Sequence, residues 1–121
     1  MALHAIGDTH LSLGGSKPMD VFGGRWTGYV DKLREGFSAV GPEDTVVVCG
    51  DVSWGMSLEE AAPDFAFLNA LPGGRKLLLK GNHDYWWPTA SKMKAFFQEK
   101  GFATLEILHN NCHLYGDTAL C

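Results

Sequence analysis

An α/β fold built on a parallel sheet is the class this sequence predicts, with elements in the order βαβαβα followed by further β-strands. Three observations carry that reading. Apolar runs at 2–6 ("ALHAI"), 45–49 ("TVVVC") and 75–80 ("RKLLLK") read as strands, and the β-branched "TVVVC" lacks polar–apolar alternation, as a strand buried on both faces does. Segments with apolar residues at helical spacing separate them. Each run then meets a glycine and a polar residue: "GDTH" after the first, "GD" after the second and "GNHD" after the third.

The first strand leads into a Gly-rich loop, "GDTHLSLGGSKPMDVFGG". Residues 26–40 place Trp26, Tyr29, Val30, Leu33 and Phe37 at helical spacing, with Lys32, Arg34 and Glu35 between them, and "GPED" ends that helix. The second helix spans 57–71. Ser57 and Glu60 have the spacing of a capping box, and Pro63 marks either a first turn or a kink. "PGG" breaks it. Residues 91–100 form the third helix, stopped by Gly101. "ATLEIL" (103–108) and "CHLYGDTALC" (112–121) read as strands, the latter as a hairpin turning at Gly116-Asp117.

With 121 residues, 45% of them hydrophobic and 20% charged, the chain has the composition of about one small globular domain. A net charge of −4 excludes a phosphate-backbone binder, so no stable nucleic-acid complex is expected. No apolar run approaches the ~20 residues that span a bilayer, and the N-terminus lacks a basic region followed by a long apolar stretch. Three cysteines, Cys49, Cys112 and Cys121, match no zinc ribbon; Cys49 reads as a small core residue, and a reducing, cytoplasmic setting is expected. The chain stops at Cys121 within an apolar strand pattern. Residues 1–121 are therefore expected to be the N-terminal part of a single domain whose C-terminal part is absent.

The repeated strand exit carries the chemistry. In a parallel sheet with right-handed crossovers all strand C-termini lie on one edge, so Asp8, Asp51 and Asn82 should converge there. Asp8 and His10 lie two apart, and an extended exit would point both side chains the same way. Asp51 has two oxygens and can bridge two cations. Asn82 offers a neutral amide oxygen. Mixed oxygen and nitrogen donors suit Mn²⁺, Fe or Zn²⁺.

The blocks "GDTH", "GD" and "GNHD", in this order and each after a strand, resemble the calcineurin-like metallophosphoesterase superfamily. "KPMDVFG", "DVSWGMSLEEAAPDFAFLNALPGGRKLLLKGNHDYWW" and "LHNNCHLYGDTALC" further resemble a bacterial group of phosphohydrolases within it. The resemblance implies an α/β/β/α sandwich, incompletely represented here, and two divalent metal ions (Mn, Fe, Zn or Mg). Asp8 and His10 would bind the first metal, Asp51 would bridge both, and Asn82 would bind the second. His83 would contact the phosphate and protonate the leaving oxygen, with Asp84 holding its ring in one tautomer. A hydroxide carried by the metals would attack phosphorus in line, on a phosphorylated small molecule or a nucleotide-type substrate.

The sequence departs from the superfamily in lacking the later histidines, one alone and two in a G-H-x-H block. The second metal would keep only Asp51 and Asn82, and weak or absent activity of this chain alone is expected. An exposed sheet edge is expected as well, through which copies could pair. A rival reading is a catalytically silent metal-binding or interaction module of the same fold. The His83-Asp84 pair favours the enzyme. A flavodoxin-like nucleotide domain is disfavoured because no Gly-rich phosphate loop opens a helix. His4 reads as a structural strand residue. His109 and His113 would pair on a helix but not on a strand. Trp54, Trp86 and Trp87 read as packing, and Lys17 and Arg25 as solvated surface cations.

Overall fold

In the computed structural model, residues 1–15 and 19–121 are described; Lys17, one of the two surface cations considered above, lies outside them. Four strands, β1 (Leu3–Ile6), β2 (Thr45–Val48), β3 (Arg75–Leu78) and β4 (Leu105–Ile107), form one parallel sheet in the order β1-β2-β3-β4. The connections carry α1 (Tyr29–Gly36), α2 (Leu58–Ala70) and α3 (Ala90–Lys100). A two-stranded antiparallel hairpin, β5 (His113–Tyr115) and β6 (Thr118–Leu120), follows. This is the mixed α/β architecture that the sequence pattern predicts. Among the described residues no helix is long and apolar enough to cross a membrane.

The register fixes the two faces of the sheet. Val46 pairs with Lys76 and Val48 with Leu78, placing these residues on the helix side. There Val46, Val48, Leu78 and Leu105 pack with Leu33 and Phe37, with Ala61, Phe65 and Leu68 of α2, and with Met93 and Phe97 of α3. Phe65 is fully buried and meets Trp86 and Phe97 edge-on at 4.9 and 5.2 Å. Each such side chain contributes about 1.5–3 kcal/mol. The opposite face, with Leu3, Thr45 and Arg75 in one row, meets the hairpin: the Arg75 guanidinium donates to the Leu114 carbonyl at 2.7 Å, and Tyr115 Oη to that of Met1 at 3.1 Å.

Several boundaries move for local reasons. The first helix starts at Tyr29, after Gly28 at φ 64°, and continues as a 3-10 turn over Phe37–Ala39. Trp26 therefore precedes the helix and is free to face the sheet edge. The second helix runs unbroken through Pro63. Its Ser57 Oγ accepts from Glu60 N, but the Glu60 carboxylate reaches Met56 N, so the expected box closes one residue early. The hairpin turns at Gly116, φ 59°, as expected. His4 is structural: its ring lies 3.0 Å from Asp44, whose carboxylate also holds Ala2 N and Gly41 N.

The cysteine reading is corrected. Cys112 and Cys121 are paired in a disulfide, because the hairpin register brings its two ends together, and Cys49 is exposed. Cys49 ends the row of Thr45 and Val47, on the face that carries no helix.

Candidate metal centre

Beyond the sheet the exits of β1 and β2 run side by side. Asp8 N donates to Gly50 O (3.1 Å), His10 N to Asp51 O (2.8 Å), Leu11 N to Val52 O (2.9 Å) and Trp54 N to Leu11 O (2.9 Å). The exit of β3 is fastened to them by Asp84, which is 1% exposed. Its carboxylate accepts from Val52 N (2.8 Å), Ser53 N (3.3 Å), Gly81 N (2.7 Å) and Trp86 Nε1 (3.0 Å). One buried carboxylate thus spans two loops, each of which carries a candidate ligand.

The glycines permit the approach. A Cβ on Gly81 would collide with the carboxylate and backbone nitrogen of Asp51, and one on Gly50 would lie 2.9 Å from Gly81 Cα. The loops touch backbone to backbone, which any side chain would prevent. The expected extended geometry of the first exit is corrected. Asp8 has φ 57° and His10 φ 42°, and Asp51 has φ 49°. Three non-glycine residues in the left-handed region within one site are sparsely populated conformations held by the surrounding hydrogen bonds.

This backbone brings the side chains together. One donor atom each from Asp8, His10 and Asp51 lies within 4.8 Å of the others. His10 Nε2 is 3.9 Å from Asp8 Oδ1 and 3.7 Å from Asp51 Oδ2. The terminal amide of Asn82 is 3.3 Å from both Asp51 oxygens. Its nitrogen donates to them. His83 donates its backbone N–H to Asp51 Oδ1 (2.9 Å), and its Nδ1 lies 3.1 Å from Asp51 Oδ2. Burial pushes the Asp51 carboxyl up. The His83 backbone N–H and ring, followed by the His10 and His83 charges, outweigh it and hold the group below the usual carboxylate value. An ionised carboxylate among imidazole and amide donors, with no thiolate, fits a divalent cation of the Mn, Fe, Zn or Mg kind.

The expected contact between Asp84 and the His83 ring is not made. Asp84 is spent on four N–H donors, and the ring nitrogen rests on Asp51 instead. The packing reading of the tryptophans divides. Trp86 is 2% exposed and belongs to the core, whereas Trp54 stacks on His10 (5.2 Å, 28°) and lies 5.1 Å from His83. Trp26 meets His10 edge-on at 6.0 Å. Asp64 escaped the sequence reading. From the buried side of α2 it accepts from Ser53 Oγ (2.5 Å) and from Leu13 N (2.7 Å), holding the first two exits together. Its signal was present: an aspartate on the apolar face defined by Ala61, Phe65 and Leu68. His109 and His113 follow the exit of β4 at the same edge but do not join the donor cluster: His109 stands 5.5 Å from Trp87, and His113 lies against Ile107 O at 2.9 Å.

A family model described as calcineurin-like phosphoesterase matches residues 1–117. The chain belongs to that family. Its parallel sheet and three helices are the corresponding α/β fold in incomplete form. Among solved structures, it is similar to the crystal structure of the protein of unknown function AQ665 from Aquifex aeolicus, at 22% identity and a TM-score of 0.59. That match covers 98% of this chain and 58% of the other, and it speaks to the fold alone. No curated protein matches the chain.

Proposed function

We propose that the chain carries part of a dinuclear centre for metal-dependent hydrolysis of phosphomonoesters or phosphodiesters. The supporting observation is the convergence of Asp8, His10 and Asp51 within 4.8 Å on the edge where Asn82 and His83 meet Asp51. Asp8, His10 and Asp51 would hold a first cation, and Asp51 with Asn82 would contribute to holding a second. When bound, the cations supply charge to the phosphate oxygens and a nucleophile at neutral pH.

The other residues orient and move protons. In its protonated form the His83 ring donates through Nδ1 to Asp51, leaving Nε2 to contact the phosphate and protonate the leaving oxygen. Asp84 acts through the backbone: it fixes the loop on which Asn82 and His83 stand. Trp54, stacked on His10, keeps water from that flank of the ligand ring.

Calorimetric titration with Mn²⁺ tests the ligand set. The chain is expected to take up Mn²⁺, and Asp51→Asn to weaken binding at least about tenfold. Unchanged affinity in Asp51→Asn removes the bridging role. Turnover of p-nitrophenyl phosphate and bis(p-nitrophenyl) phosphate tests the reaction; it is expected to be weak in this chain alone, and His83→Ala should lower it more than it lowers Mn²⁺ affinity.

A further inference from the structure

The chain continues past the centre from the exits of β2 and β3. Two residues beyond Trp54 stands Met56, and two beyond His83 stands Tyr85, exposed by 56% and 58%. Together with Trp87 and Pro88 they line a shallow cavity, wide open to solvent, of about 340 Å³. Tyr85 joins this cavity to the centre, since its ring stands edge-on to His83 at 6.4 Å. Beneath it the floor is fixed. Trp86 is 2% exposed, its indole N–H is held by Asp84 at 3.0 Å, and Trp87 tilts against it at 5.3 Å.

Exposed tyrosine and methionine add nothing to core burial, yet here they are placed on one wall beside the centre. Aromatic rings with a thioether offer flat, polarisable surface, which suits another π system more than a flexible alkyl chain. Lys92 and Glu59 also line the cavity, and their charges offset each other, so it has no excess of positive charge for a second phosphate.

Resting on the phosphoesterase reading, we infer that this cavity is the subsite for the organic half of the phosphoester and takes a flat aromatic ring. Tyr85 is the stacking wall, and the ester phosphorus lies toward His83. The ring is that of a nucleobase or of a simple aryl group.

Tryptophan fluorescence of the metal-free chain, titrated with adenosine, phenol and ribose, tests the subsite apart from any turnover. Saturable quenching by adenosine or phenol, and none by ribose, is expected. Tighter binding of adenosine assigns the ring to a nucleobase, and tighter binding of phenol to a simple aryl group. Tyr85→Ala should weaken binding about tenfold, in line with one lost base–aromatic stack. Tyr85→Phe should leave it unchanged, with circular dichroism showing both variants folded. Absence of saturable quenching by either ring, or quenching unaffected by Tyr85→Ala, overturns the subsite. Any Mn²⁺-dependent turnover by the chain should be faster on phenyl phosphate than on methyl phosphate. If adenosine binds through Tyr85 while Mn²⁺ affinity is the same in Asp51→Asn as in the parent, the subsite stands and the phosphoesterase reading falls.

Discussion

At the scale of single residues the centre is built by backbone conformations that other sites avoid. Asp8, His10 and Asp51 adopt left-handed φ values, and each is held there by hydrogen bonds between the first two exits. Such a conformation costs on the order of 1–3 kcal/mol per residue, offset by the packing and hydrogen bonds around it. Gly81 is the least replaceable position, because its missing side chain is what admits the Asp51 carboxylate. Gly81→Ala is expected to destabilise the fold by about 2–4 kcal/mol in urea unfolding and to lower Mn²⁺ affinity at least about tenfold. Gly7→Ala is the matched control. Its added Cβ would meet Cys49 Cβ at an ordinary 3.6 Å, and stability and metal uptake should both remain as in the parent.

At the scale of elements, helices and strands place polar groups where their own patterns call for apolar ones. Asp64 on α2 is the first case. Burial raises its carboxyl above the usual value, while the Ser53 hydroxyl and Leu13 N–H act the other way. Lys76 on β3 is the second. It is fully buried on the helix side, and its ammonium donates to Asn69 O (3.0 Å) and Thr104 Oγ1 (3.1 Å), tying β3 to α2 and to the approach to β4. Burial pushes its pKa down to about 8 from 10.5. Between these values the unfolded chain binds more protons than the folded one, so this group makes stability rise with pH from about 8 to 10.5. Lys76→Met removes that contribution. Urea unfolding at pH 8 and pH 10.5 should show the parent gaining on the variant; equal pH dependence in both would mean that Lys76 is not desolvated as described.

At the scale of the molecule, the sheet has unlike faces. Three helices cover one, and the β5–β6 hairpin reaches the other through Arg75 and Tyr115. The Cys112–Cys121 bond closes that hairpin at its open end, remote in sequence from the strand exits. Reduction should therefore loosen the hairpin without disturbing the centre. Under dithiothreitol, amide exchange of residues 113–120 is expected to speed up, while helical circular dichroism and Mn²⁺ affinity remain those of the oxidised chain. Loss of metal binding on reduction would show that the hairpin supports the centre.

The sequence by itself determined the class of fold, the order of its elements and the three exits that meet at one edge. Those features depend on local periodicity and on the handedness of parallel connections, which act at short range. It also singled out Asp8, His10, Asp51, Asn82 and His83, whose side chains the structure brings together. Tertiary structure decided what each polar group faces. Asp84 turned from His83 toward the backbone because three N–H donors and an indole converge on it from separate loops. Trp54 went to His10 instead of the core because its loop is paired with the first exit. Cys112 met Cys121 only once the hairpin register was set. These partners come from distant stretches of chain, and their meeting depends on the packing of whole elements, which no local pattern records.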